Sequence, residues 1–402
     1  MTEKQIKLIK GTIPVLKENG ILLTKYFYDR MFNHNPELKH IFNMGNQKSG
    51  KQQTALAMAV LAYAENIENP SVLLNVVDHI GHKHTSLDIR PEHYQIVGNH
   101  LISSIKEVLA EAATNELLEA WNIAYNQLAD IMSNHETSLY NAKVNKPGGW
   151  TGWRPFEVRE KVKESEEITS FYLYPIDHGS IASHLPGQYI SVRLFLPELN
   201  LIQPRQYSIS SSSNGTFYRI SVKREKHTKH PDGMISNRLH DHIQVGDRIE
   251  LTSPSGNFVL NQKENNKPHV FISGGIGQTP LLAMLEDLIL NNKPTQPIIW
   301  VHGCRNEQVH AFKDRLTELS IISPVLQNHL FYEQLEQAEH GITSGVVNLE
   351  KIQDKVILNE AKYYICGPAG FIRKHYEFLK DSGVDIEAIY YEEFGPASLS
   401  LN

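Results

Sequence analysis

The sequence predicts a multidomain α plus α/β protein: an all-α domain, then an antiparallel β-barrel, then a doubly wound parallel α/β domain. Three observations predict it. Residues 1–146 hold 6 Gly and 4 Pro while residues 147–402 hold 19 Gly and 15 Pro, so turn formers concentrate in the second part. Apolar residues recur at helical spacing in the first part. They shorten to strand-length pieces from Phe156 to Leu260, and after Lys267-Pro268 strand and helix alternate. A chain of 402 residues exceeds one ordinary core and suits two or three domains. The expected boundaries are 1–146, 150–262 and 267–402, with the first break at Pro147-Gly148-Gly149.

The elements follow in order. Thr2-Glu3-Lys4-Gln5 has the form of a helix capping box. Helical faces run through Leu56, Val60 and Tyr63, then through Leu73, Val77, Ile80 and His84. Pro91 opens a helix carrying Tyr94, Val97, Leu101, Ile105 and Val108, and a long last helix carries Trp121, Ala124, Leu128, Met132 and Glu136. Tyr189 to Leu194 and Tyr218 to Val222 read as strands, punctuated by Pro186-Gly187 and Val245-Gly246-Asp247. Val270 to Ile272, the helix Leu281 to Leu290, Ile298 to Val301 and Tyr363 to Ile365 give the rhythm of a parallel sheet.

Composition narrows the partners. With 41% hydrophobic and 21% charged residues the chain is globular, and a net charge of -6 offers no basic field for nucleic acid or an anionic membrane. Small-molecule partners are expected. The first residues place Glu3, Lys4, Lys7 and Lys10 among apolar ones, which is no secretory signal, and no run approaches a membrane span. Two cysteines far apart, Cys304 and Cys366, form no disulfide framework and agree with a reducing cytoplasm.

Four constellations carry chemistry. His84 follows Ile80 by one helical turn, where a neutral imidazole reads either as a hydrogen-bonded core residue or as a ligand to a metal. Tyr94 and Glu136, on other helices, are the phenol and carboxylate that orient a metal-bound histidine. His82, two residues away, points to the opposite side and makes a poor chelating pair. Tyr28 and Gln52 place polar groups among Phe27, Phe32, Leu56 and Val60, as half-exposed side chains or as one wall of a pocket.

Arg205-Gln206-Tyr207-Ser208 supplies a guanidinium, a ring and a hydroxyl, and Gly233-x-x-Ser236-x-x-Leu239 is a turn and helix start able to offer N–H groups to phosphate. Gly274-Gly275-x-Gly277-Gln278-Thr279-Pro280 follows a strand and opens a helix, where a dinucleotide phosphate needs close backbone approach. An ordinary glycine-rich turn is the bland alternative. His227 and His230 in the segment Lys226 to Asp232, and His240-Asp241-His242, read as solvated, with no framework for a metal.

Tyr26 to Phe32, His34-Asn35-Pro36-Glu37-Leu38, Ile41 to Met44, His82 to Ser86 and Tyr94 to Gly98 closely resemble the globin domain of the flavohaemoglobins, the nitric oxide dioxygenases, and the resemblance spans almost the whole chain. It implies haem b with His84 as proximal iron ligand supported by Tyr94 and Glu136, Tyr28 and Gln52 as the distal polar pair, Leu56 shaping the cavity, and Lys83 at the haem edge. The remaining motifs are similar to the ferredoxin reductase-like flavoproteins. That similarity implies FAD contacts from Tyr189, Arg205, Tyr207, Ser208, Gly233 and Ser236. It implies NAD(P)H contacts from Gly274, Gly275, Gly277, Gln278, Thr279, Pro280, Cys366 and Gly367, with Phe394 covering the flavin ring.

By the same resemblance, electrons pass from NAD(P)H through FAD to haem, and ferrous-haem-bound dioxygen converts nitric oxide to nitrate; a cytoplasmic enzyme working as a monomer with no obligatory protein partner is expected. The rivals are a gas sensor and a plain flavin reductase with a structural helical domain. Glu393 stands where many relatives have cysteine, and Arg305 reads either as a 2′-phosphate contact or as an exposed surface residue.

Overall fold

The computed structural model describes residues 1–226, 232–335 and 341–395. Its contacts cluster into two compact units, Met1–Trp153 with Ser191–Arg205, and Arg154–Ile190 with Gln206–Asn402. The expected histidines 227 and 230 lie outside the described residues.

The first unit is built on α1 (Glu3–Gly11), α2 (Ile13–His34), α3 (Met44–Lys48), α4 (Lys51–Glu65), α5 (Leu74–Ser86), α6 (Pro91–Leu109) and α7 (Asn115–Asn145). The capping box forms as read, with Thr2 accepting from the Gln5 amide and the Gln5 side chain accepting from the Thr2 amide. Pro91 takes the first turn of α6, where its missing N–H costs nothing, and Thr114 caps α7 through the Leu117 amide. The buried faces of α2, α6 and α7 meet through Leu23, Phe27, Met31, Leu101, Ile105 and Trp121.

One helix contact depends on a missing side chain. A Cβ at Gly98 would lie 2.4 Å from the Tyr125 ring, so α6 and α7 approach only because that position is glycine. Nothing local in the sequence announces the pair.

The strands β1 (Arg154–Lys163), β2 (Ile168–Pro175), β3 (Tyr189–Leu196), β4 (Leu201–Ser208), β5 (Tyr218–Lys223) and β6 (Arg248–Leu251) form a six-stranded sheet among the described residues, in the order β4-β3-β6-β1-β2-β5. The pairs β1–β2, β1–β6 and β2–β5 are antiparallel, with a register shift between Val158 and Glu160. The helix α8 (Met234–Asp241) follows β5.

The parallel sheet comprises β7 (His269–Gly274), β8 (Ile298–Cys304), β9 (Leu326–Tyr332), β10 (Ile342–Ser344), β11 (Lys362–Gly367) and β12 (Ile389–Glu393), in the order β10-β9-β8-β7-β11-β12. Its helices are α9 (Gln278–Asp287), α10 (Lys313–Ile322), α11 (Gln353–Val356) and α12 (Ala369–Asp381). The order reverses direction at β7, which puts the topological switch between β7 and β11, the place where such sheets bind ligands beyond their strand ends. Within this second unit Glu286 of α9, 3% exposed, accepts from Arg219 of β5 at 3.2 Å, Arg315 of α10 at 2.8 Å and the Ser212 amide at 3.0 Å. Two guanidiniums and an amide hold the carboxylate, which is what a buried charge requires.

Candidate functional site

His84 stands in the last turn of α5, its side chain 34% exposed. Its Nδ1 lies 2.7 Å from Glu136 Oε1 and 3.0 Å from the Tyr94 hydroxyl, and that hydroxyl donates to the same Glu136 oxygen at 2.5 Å. Sequence reading placed these three side chains together, and the geometry brings them together from α5, α6 and α7.

The chemistry follows from the bonds. An Nδ1–H donated to a carboxylate fixes the tautomer and leaves the Nε2 lone pair for a metal, with added basicity from the anionic acceptor. Glu136 is 2% exposed, so its charge acts in a poorly screened setting. Burial, and the adjacent Glu136 carboxylate, raise the Tyr94 phenol above its ordinary range and keep it a donor. The Tyr94 backbone carbonyl is held by the Tyr125 hydroxyl at 2.5 Å, the ring that Gly98 makes room for. This donor set fits a haem iron on the Nε2 side.

His82 faces away. Its Nε2 lies 3.7 Å from Asp78, which also takes His135 Nε2 at 2.9 Å, and burial lowers its pKa to about 4 against the pull of Asp78. Among the described residues no cluster of three His, Cys, Asp or Glu is arranged to hold a metal by itself.

On another wall, Tyr28 of α2 is 4% exposed and packs against Phe27, Phe32 and Phe42 with ring centroids 4.9, 5.9 and 5.8 Å away. Burial raises its pKa, while the side chains of Gln52 and Gln47 at its hydroxyl pull the other way. Leu56 packs half-buried on the same core. Gln47 and Gln53 were missed by sequence reading: Gln53 donates from Nε2 to Gln47 Oε1 at 2.8 Å and to its carbonyl at 3.2 Å. Gln53 Oε1 stays buried without a partner, polar capacity left open in the same cluster.

Lys83 is half-buried, its carbonyl accepting from Ser86 at 2.8 Å. A second lysine, Lys143, was unforeseen. It is 9% exposed, donates to Thr85 at 3.1 Å, and burial pushes its pKa down to about 7 against the pull of Asp88.

In β4, Arg205 donates to the Pro204 carbonyl at 2.6 Å, and Tyr207 is half-buried. In the second unit Ser208 and Tyr189 are buried. Gly233 caps α8, and a Cβ there would meet Ser236 Oγ at 2.4 Å, so the turn admits no side chain. His240 departs from the expected solvated reading: it belongs to α8, where Nε2 lies 2.8 Å from the Val222 carbonyl. Arg305 pairs with Glu167, which engages the guanidinium that sequence left open to a 2′-phosphate.

The parallel-sheet motifs converge at the switch. Gly274 ends β7 and Cys366-Gly367 ends β11, with Cys366 opposite Ser273 on one side and Glu392 on the other. Gly275 takes a φ of +55°, a conformation L side chains rarely adopt, and a Cβ at Gly277 would stand 2.2 Å from the Cys366 carbonyl, so conformation favours glycine at the first position and sterics require it at the second. Thr279 donates to the Ile276 carbonyl at 3.0 Å, Pro280 sits in the first turn of α9 where no N–H is needed, and Gln278 is 1% exposed with Oε1 unpartnered. Burial and then Glu392 raise the Cys366 thiol well above its ordinary value, so it is no thiolate. Phe394 is 42% exposed.

Comparison with known proteins decides what these sites belong to. Family models match residues 25–132 as Globin, 155–260 as Oxidoreductase FAD-binding domain and 271–376 as Oxidoreductase NAD-binding domain. A flavohemoprotein of Bordetella pertussis is 49% identical over 399 residues, covering 98% of both chains. The chain belongs to the flavohemoprotein family. Another flavohemoprotein, from Rhizobium meliloti, is 47% identical over 401 residues, again covering 98% of each.

Solved structures agree on the fold. A flavohemoglobin of Malassezia yamatoensis with bound FAD and heme superposes with TM-score 0.85 at 24% identity, covering 98% of this chain and 99% of that one. The FAD/NAD binding domain of a nitric oxide dioxygenase from Vibrio cholerae is 35% identical with TM-score 0.55, covering 60% of this chain and 99% of that one. Cys304 and Cys366 are both free and buried, and among the described residues no helix is long and apolar enough to cross a membrane.

Proposed function

We propose that this chain is an NAD(P)H-dependent nitric oxide dioxygenase: electrons pass from NAD(P)H through FAD to haem, and nitric oxide is converted to nitrate, relieving nitrosative stress. The domains are 1–146 for haem, 150–262 for FAD and 267–402 for NAD(P)H; the enzyme works as a cytoplasmic monomer on small molecules. The observation that carries the reading is the His84, Glu136 and Tyr94 triad in one polypeptide with a Gly274–Gly277 crevice at a sheet switch.

When bound, haem supplies the iron that meets dioxygen and nitric oxide, and FAD converts hydride into single electrons. The chain's own residues do the rest. Glu136 accepts the imidazole proton's hydrogen bond and makes His84 Nε2 a stronger donor, and Tyr94 shares that oxygen and fixes its direction. Tyr28, kept protonated by burial, presents an O–H where negative charge develops, oriented by Gln52 and Gln47. Leu56 would bound the cavity and Lys83 would meet the haem edge.

Arg205 would pair with the flavin pyrophosphate, Tyr207 and Ser208 would contact the ring system, Tyr189 would add a further FAD contact, and Gly233 and Ser236 would offer amides to phosphate at α8. Gly274, Gly275 and Gly277 let the nicotinamide dinucleotide reach the backbone, Gln278, Thr279 and Pro280 start the helix behind it, and Cys366 and Gly367 floor the nicotinamide site. Phe394 would cover the flavin ring.

The test is an anaerobic absorption spectrum before and after adding reduced nicotinamide. Bleaching of FAD followed by conversion of ferric to ferrous haem supports the circuit, and a bleached flavin beside permanently ferric haem refutes it. His84→Ala is expected to lose the haem spectrum and keep nicotinamide-to-flavin transfer.

A further inference from the structure

Gln203 precedes Arg205 by two residues on β4 and belongs to the same compact unit as the haem-site residues. It is fully buried at 0% exposure and uses three of its four amide valences. Its Nε2 donates to the Lys39 carbonyl at 2.7 Å and to the Ile202 carbonyl at 3.0 Å, and its Oε1 accepts from the Met44 amide at 3.0 Å. Beside it the Ile202 amide donates to His40 Nδ1 at 3.0 Å.

The Met44 amide is the first N–H of α3, one of those a helix cannot satisfy internally. Asn43 takes the next two, Gly45 at 3.0 Å and Asn46 at 3.1 Å, so Gln203 completes a cap that the local sequence leaves unfinished. The helix so held is the one that carries Gln47 to the Tyr28 hydroxyl and to Gln53. At five residues α3 has little cooperativity of its own, and its placement depends on such anchors.

We propose that Gln203 is a positioning residue through which the strand bearing Arg205 sets the distal wall around Tyr28. The inference rests on the haem and FAD reading given above and deepens it: a flavin held by Arg205 stiffens β4, and Gln203 passes that order to α3 and Gln47. Two residues of strand and one helical turn make the connection contiguous. Gln203 bonds to Lys39, Ile202 and Met44 and acts through α3.

The test uses the full chain reconstituted with haem and FAD, reduced under carbon monoxide, with the C–O stretching band as readout of distal polarity. Loss of one neutral hydrogen bond corresponds to roughly a fivefold change in an equilibrium, so Gln203→Leu is expected to move the band to higher wavenumber and change dioxygen dissociation about fivefold. Removing FAD from the unaltered chain should move the band the same way, and removing it from Gln203→Leu should add nothing. Gln203→Glu keeps the acceptor for Met44, cannot donate to Lys39, and should fall between.

Hydrogen exchange at the Met44 amide gives a readout independent of either cofactor's activity, with faster exchange expected in Gln203→Leu. Coincident bands in all forms, or an undiminished FAD effect in Gln203→Leu, overturn the inference while leaving the proposed function intact. If Gln203→Leu does not fold, the FAD dependence of the unaltered chain and the Gln203→Glu band decide. Failure of the unaltered chain to bind haem removes the underlying reading and this inference with it.

Discussion

Replacing Glu136 by glutamine separates electronics from packing. The side chain keeps its size, but the one oxygen that accepts from His84 at 2.7 Å and Tyr94 at 2.5 Å changes from carboxylate to carboxamide. A charge-assisted hydrogen bond contributes about 1.5–3 kcal/mol and a neutral one about 0.5–1.5 kcal/mol, so the imidazole loses on the order of 1–2 kcal/mol of anionic support. That support is greater for the more positively charged ferric centre. Its loss should raise the ferric/ferrous midpoint potential, and about 1.4 kcal/mol in a one-electron couple is ~60 mV.

Fold stability should move less, because the substitution also removes a charge from a site 2% exposed, and the saved desolvation offsets part of the weakened bonds. The assay is a spectroelectrochemical titration of the haem band beside a thermal melt. A potential that stays put or falls, in protein that retains its melting temperature, would refute the claim that the Glu136 charge reaches the metal through His84.

Three further substitutions probe distinct links. Gly98→Ala drives a methyl to 2.4 Å from the Tyr125 ring, and overpacking of this kind costs about 1–3 kcal/mol, to be read from the midpoint of urea unfolding. Gly277→Ala collides with the Cys366 carbonyl at 2.2 Å, so flavin reduction by NAD(P)H should slow at least about tenfold while the haem spectrum stays unchanged, as rapid mixing would show. Lys143→Met tests a buried amine whose folded pKa is lowered by burial to about 7. The unfolded chain binds the extra proton between roughly pH 7 and 10.5, so this lysine makes stability rise with pH across that window and penalises folding below it. The variant should therefore be the more stable protein at pH 7 and below, with the advantage shrinking toward pH 10.5, and a gain that grows with pH would contradict the burial argument.

What the sequence made legible was whatever repeats along a helix or strand or is fixed by a short turn. His84 could be placed from Val77 and Ile80 because a helix of 3.6 residues per turn projects them on one face, and Gly274 to Pro280 could be placed because strand, glycine turn and helix are adjacent in the chain. The groups that sequence reading passed over depend on separations no period encodes. Tyr125 lies 27 residues from the glycine it fills, as the numbering of Gly98 shows, and Lys143 is buried by contacts 58 residues away at Thr85.

Gln47 and Gln53 sharpen the point. Gln52 was singled out, yet Gln53 is the more buried neighbour at 8% exposure, and it is Gln53 that grips Gln47 while Gln52 turns to Tyr28. Consecutive residues on a helix point about 100° apart, and it is Gln47 of α3 that meets Gln53 on its own face of α4. The orientation of α3 is set in turn by Met44 against Gln203, 159 residues distant. The proposed distal site, anchored through α3 by one long-range amide, is therefore the part of this molecule least readable from local pattern. It is also the part where a substitution far in sequence from His84 is expected to change ligand binding at the haem.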